Sequence, residues 1–168
     1  MSIKFVPLII LLVTAVFISG CIFDKNDQNQ TGTESGLIPK TNLPAGFTYL
    51  GVHEIPFDIG SSSINATEGV YRYGDEDIYI QVIKNDNVAA LMTQYKSDIK
   101  KEFNPDYDPF KEVTLNGHKA TQVTDFSVID GKDTPRYGVM WTNDNYLIVV
   151  GKSFDTSTVM TLATATGN

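Results

Sequence analysis

The sequence predicts an α+β fold, an antiparallel β-sheet with an amphipathic helix and a C-terminal helix packed on it. Three observations carry this. Leu115-Asn116-Gly117-His118 places an Asn-Gly pair, the strongest short hairpin signal, between two alternating segments. Val88, Leu91, Met92, Tyr95, Ile99 and Phe103 recur at spacings of three and four, which lays one apolar stripe along a helix. Residues 146–150, Tyr-Leu-Ile-Val-Val, are apolar on both faces, the pattern of a central buried strand.

The chain opens on a different kind of segment. Lys4 is the only charged side chain among residues 1–20, and residues 5–18 are almost unbroken apolar. That run is short for a membrane span, which takes about 20 apolar residues. It suits the hydrophobic region of a secretory signal, and small residues follow it as at a cleavage site. Ile18-Ser19-Gly20-Cys21 resembles the lipobox of prokaryotic lipoproteins, an aliphatic residue and two small ones before a cysteine. The resemblance implies that Cys21 carries a diacylglycerol-type lipid and becomes the first residue of the mature chain. The residues alone also allow a free thiol behind an uncleaved helix, a cysteine incidental to ordinary secretory cleavage, or a buried structural cysteine, against which the polar linker that follows it argues.

Cys21 is the sole cysteine, so no intrachain disulfide can form and an exported domain must rely on its core. The net charge is −7, and removal of residues 1–20 leaves 12 basic and 20 acidic residues, or −8. An acidic surface argues against nucleic acid, which requires clustered Lys and Arg. It argues equally against electrostatic docking on anionic headgroups. The expected membrane partner is therefore reached through the lipid, which places the protein on the extracytoplasmic face of the cell membrane.

Residues 21–42 read as a polar linker, since Asp24-Lys25-Asn26-Asp27-Gln28-Asn29-Gln30 offers nothing to bury. About twenty flexible residues span roughly 25 Å root-mean-square. Asn29-Gln30-Thr31 and Asn65-Ala66-Thr67 match the N-glycosylation acceptor pattern, which makes Asn29 and Asn65 candidate modification sites. Residues 43–168 are expected to form a single domain, a length that suits one core.

Within it, Pro44-Ala45-Gly46 is a turn and residues 47–52 alternate as a first strand. Residues 53–58 read as a short edge strand or loop, because Pro56 cannot donate to a ladder. Gly60-Ser61-Ser62-Ser63 reads as a loop. Residues 68–73 and 77–83 form a hairpin around Gly74-Asp75-Glu76, with Ile78, Ile80 and Val82 on one face. Asn85 or Asp86 is expected to cap the amphipathic helix, which Pro105 stops. Residues 104–110 form a loop. The Asn-Gly hairpin follows, then turns near Asp130-Gly131 and Asn143-Asp144-Asn145 and the apolar strand. Asp155 caps a last helix carrying Val159, Met160, Leu162 and Ala163.

No catalytic, cofactor or metal site is predicted. Asn104, Asp106 and Asp108 begin like a calcium loop, but Pro109 stands where the glycine belongs and Leu115 where the closing glutamate belongs. His53 and His118 each stand alone in sequence, and His118 follows a turn that should hold it in solvent. There is no nucleophile elbow, Walker sequence or dinucleotide fingerprint. Tyr71, Tyr73, Tyr79, Tyr137, Trp141 and Tyr146 could line a ligand-accepting sheet face, although strands are enriched in aromatics for packing alone.

The stretch from residue 79 to 165 resembles the PsbP/DcrB-like domains, through Ile80-Gln81-Val82, the Leu91, Tyr95, Ile99 stripe, Leu115-Asn116-Gly117-His118-Lys119-Ala120 and Tyr146-Leu147-Ile148-Val149-Val150. A lipid-carrier half-barrel of the LolA and RseB kind shares much of this order. The PsbP-like resemblance implies a binding or accessory role and no shared catalytic residues. The function expected is a non-enzymatic lipoprotein module that binds a protein or small-molecule ligand, or alternatively a carrier of lipid or another apolar molecule.

Overall fold

The computed structural model describes residues 34–167. The signal segment 1–20, Cys21, Asn29 and the first part of the linker lie outside them.

Two antiparallel meanders make one sheet. The first comprises β1 (Phe47–Ile59), β2 (Ser62–Tyr73) and β3 (Glu76–Lys84); the second comprises β4 (Phe110–Leu115), β5 (His118–Ile129), β6 (Lys132–Asn143) and β7 (Tyr146–Ser153). β3 pairs with β7, which gives the order β1-β2-β3-β7-β6-β5-β4. Helix α1 (Val88–Lys101) carries the chain from β3 to the far edge at β4, and α2 (Thr156–Thr164) follows β7. The α+β reading therefore holds, and β7 is the middle strand of seven.

Turn chemistry sets the second meander. Asn116 and Gly117 take φ of 48° and 87°, and Asp130 and Gly131 take 51° and 73°. Positive φ at both central residues matches the right-handed strand twist, so each pair closes a two-residue hairpin. Residues 53–58 are not a separate strand or a loop but the continuation of β1, which shifts register between Tyr49 and Gly51. Pro56 is tolerated because β1 is an edge. The loop expected at residues 60–63 is a tight turn with Gly60 at φ 59°, and β2 starts at Ser62.

The two faces of the sheet bury separate clusters. Ile78, Ile80, Val82, Trp141, Ile148 and Val150 pack with Val159, Leu162 and Ala163 of α2. Phe57, Ile59, Ile83, Met140 and Leu147 pack with Leu91 of α1 on the other. Helix α1 is capped by Asn87 rather than Asn85 or Asp86; Asn87 Oδ1 accepts from Ala90 N at 3.2 Å, and Asn85 holds Asn87 by accepting its backbone N–H at 2.8 Å. The helix ends at Lys101, leaving Phe103 beyond it.

The chain packs on the sheet earlier than residue 43. After a 3-10 turn at Glu34–Leu37, Ile38 is 1% exposed within the α2-face cluster. It sits where Gly69 leaves room: a Cβ there would lie 2.5 Å from Ile38 Cγ2. The Tyr71 hydroxyl donates to Pro39 O at 2.9 Å and fastens the segment.

Asp155 caps α2 as expected, accepting from the Thr158 hydroxyl at 2.8 Å and from Thr158 N at 3.0 Å. The hydroxyls of Ser157 and Thr158 lead in holding its pKa at about 2, below the carboxylate norm. A depressed folded pKa stabilises the domain above the unfolded value, and the contribution fades as pH falls through the folded one. The urea midpoint, read by fluorescence of the single Trp141, should be higher for wild type than for Asp155→Ala at pH 5. The gap should narrow between about pH 4 and pH 2. A gap constant over that range would count against the cap.

Candidate functional site: a cleft under helix α1

The stripe of α1 does not cover its whole sheet face. A cleft of about 600 Å³ opens between the C-terminal half of the helix (Tyr95, Asp98, Ile99, Glu102) and the strands beneath. Its floor runs across three strands: Tyr79 on β3 is opposite Gly151 on β7, which is opposite Gly138 on β6. Two adjacent glycines leave the β6 and β7 part of this row without side chains. Neither position is free to grow, since a Cβ on Gly151 would lie 2.9 Å from Gly138 Cα and one on Gly138 would lie 3.1 Å from Val150 O. Val123, Val149, Ile99 and Phe103 supply apolar walls.

Charged groups ring this apolar interior. Asp98 accepts from Gly60 N at 2.6 Å and from Lys101 Nζ at 2.7 Å, tying α1 to the β1–β2 turn. The lysine first and the Gly60 N–H second hold its pKa down. Lys152 pairs with Asp125. Arg136 donates to Lys152 O at 2.6 Å and lies 4.1 Å over the Phe154 ring. Burial, and then the nearby Asp125 carboxylate, push the Tyr95 hydroxyl up, so it stays protonated and can donate.

A polar row borders the cleft. Glu68 on β2 is 8% exposed and lies between His53 of β1 and Gln81 of β3. His53 Nε2 is 3.2 Å from its Oε1, and Gln81 Nε2 donates to its Oε2 at 2.6 Å. His53 thus has a carboxylate partner, which sequence spacing hid because it arises from β1–β2 register. His118 is half-buried rather than in solvent, its ring 6.3 Å from that of Trp141.

The six aromatics do not line one cavity. Tyr71 and Trp141 are buried in the α2-face core with Tyr137 and Tyr146 packed against them, and Tyr73 stacks on Phe47 at 4.7 Å. Tyr79 alone of the six lines the cleft. Asn65 is exposed in mid-strand opposite Pro56, and the Thr67 hydroxyl of its acceptor pattern donates to Glu54 at 2.8 Å. Asn104 and Asp108 are used as turn residues, accepting from Asp106 N and Phe110 N at 3.1 and 3.0 Å. Among the described residues no group of three or more His, Cys, Asp or Glu is placed to hold a metal ion. Sequence reasoning missed the cleft, although glycine inside the β6 and β7 strand patterns is the signal that marks such a place.

No family model matches the chain, and no curated protein matches it. Among solved structures it is similar to a GTP binding regulator from Thermotoga maritima, with 14% identity over 79% of each chain and a TM-score of 0.44. No activity is carried to this chain from a likeness of that size.

Proposed function

We propose that the chain is a membrane-tethered extracytoplasmic lipoprotein whose α+β domain, of PsbP/DcrB-like architecture, is a non-catalytic module that binds a small ligand under α1. The observation that carries the binding reading is the cleft. Its volume of about 600 Å³ falls among small-molecule sites, and an apolar floor with a few convergent polar groups is their usual lining. The tether rests on Ile18-Ser19-Gly20-Cys21, and the order of strands and helices supports the architecture. Among the described residues no helix is long and apolar enough to cross a membrane. The charged rim favours an amphipathic ligand over the purely hydrocarbon cargo of a lipid carrier.

Two variants separate the parts. Cys21→Ser should release the protein into soluble fractions or leave its precursor uncleaved, and unchanged size and detergent partitioning would refute the anchor. Val149→Trp puts an indole into the cleft. Full-length protein drawn from native membranes should carry a small molecule, seen by mass spectrometry, that this variant lacks at unchanged circular dichroism. Equal recovery from both, or none from either, would remove the cleft as the site.

A further inference from the structure

The balance of engaged and unengaged charge around the cleft points to the class of its ligand, an inference that rests on the cleft being the binding site. We infer that it takes an amphipathic organic cation, an amine carrying an apolar or aromatic body.

The cleft's two cations are both held by the protein, although Arg136 has no carboxylate partner among the described residues and its Nε is buried without a hydrogen bond. Lys152 is ion-paired with Asp125, and Arg136 is held between Lys152 O and the Phe154 ring. An anionic ligand would have to draw Lys152 from Asp125 or turn the Arg136 guanidinium, whose open Nε is buried. Among the acids, Asp98 and Asp125 are engaged by Lys101 and Lys152, whereas the side-chain carboxylates of Asp58 and Glu102 have no hydrogen-bond or ion-pair partner among the described residues. Both lie exposed at the rim, and set against Arg136, the one cleft cation without a carboxylate partner, they leave one net negative charge at the mouth. Tyr79, Tyr95 and Phe103 line the cleft, Tyr95 also against Phe57 and Phe103 against Tyr107, and among the described residues the protein's own cation–π contacts fall on other rings, Lys96 on Phe110 and Arg136 on Phe154. An ammonium group held between ring faces and rim carboxylates would gain from both, while its hydrocarbon part covers the glycine floor. Gln81 spends its amide nitrogen on Glu68, which leaves its carbonyl oxygen as one more acceptor for an ammonium proton.

The test uses the isotope-labelled full chain in phosphatidylcholine nanodiscs and three probes of similar frame: 2-phenylethylamine, 2-phenylethanol and 3-phenylpropionate. The amine should saturate NMR shifts at Ile99, Val123 and Val149 and bind up to about tenfold more tightly than the alcohol, the range of a partly desolvated cation–π contact. Its advantage should shrink with added salt, as for rim carboxylates. The double variant Asp58→Asn, Glu102→Gln should reduce that advantage at an unchanged melting temperature. Equal binding of all three probes, or preference for the carboxylate, would overturn the cation inference and leave the cleft standing as a site. Absence of any cleft shift with every probe would overturn both.

Discussion

Replacing Ile148 with aspartate is expected to abolish cooperative folding of the domain. Ile148 is 0% exposed on the central strand β7, opposite Val82 of β3 on one side and Trp141 of β6 on the other. Its side chain lies in the apolar cluster closed by α2. An unpaired buried charge costs several kcal/mol, comparable to the whole stability of a small domain, about 5–15 kcal/mol. Tryptophan emission should shift to the red and the thermal transition should lose its sigmoid shape, since Trp141 is the only tryptophan and faces the same core. Val128→Asp, at a position 72% exposed, should leave both unchanged. A soluble Ile148→Asp protein that melts cooperatively would mean that this core does not hold the sheet together.

The next largest effect is expected where the chain first docks. Ile38→Ala should cost about 2–5 kcal/mol, the usual range for truncating a buried isoleucine, and should expose residues 34–43 to protease. Gly69→Ala should act in the same direction, because its Cβ would collide with the Ile38 side chain. The two should not add. With Ile38 already truncated, the methyl at residue 69 loses its 2.5 Å clash and keeps only the 3.2 Å approaches to the Tyr71 ring and hydroxyl, so the larger part of its cost should vanish in a double-mutant cycle of urea midpoints. Full additivity would show that Gly69 is needed for its approach to Tyr71 or for its backbone and not for the Ile38 contact.

Much of the fold was legible because hairpins and helices are local. Asn116-Gly117 sets the backbone angles of its own turn, and Asp155 bonds residues two and three positions on. The continuous apolar run at 146–150 identified the middle strand for the same reason, since a strand flanked by sheet on both sides and helices on both faces exposes no polar position. Boundaries were less legible. Asn87 became the cap of α1 because Asn85 bonds its backbone N–H, a choice among three neighbouring polar residues that propensity does not separate. The early docking of Ile38 was hidden by the polar residues around it, for one apolar side chain has no period.

The candidate site was the least legible part. The cleft depends on Gly138 and Gly151 falling side by side, and that follows from the pairing of β6 with β7. The same is true of Glu68 between His53 and Gln81, residues brought together by register across three strands.

From the sequence alone came the strand and helix content, the hairpin turns, the middle strand and the expectation of a lipid-bearing N-terminus. Only the tertiary structure decided that β3 joins β7, that α1 and α2 cover opposite faces, and that a cleft remains under α1. The reason is the range of the interactions. Periodicity and turn angles act over a few residues, whereas pairing and packing are settled by contacts between segments far apart in the chain, whose closure entropy only the assembled core offsets.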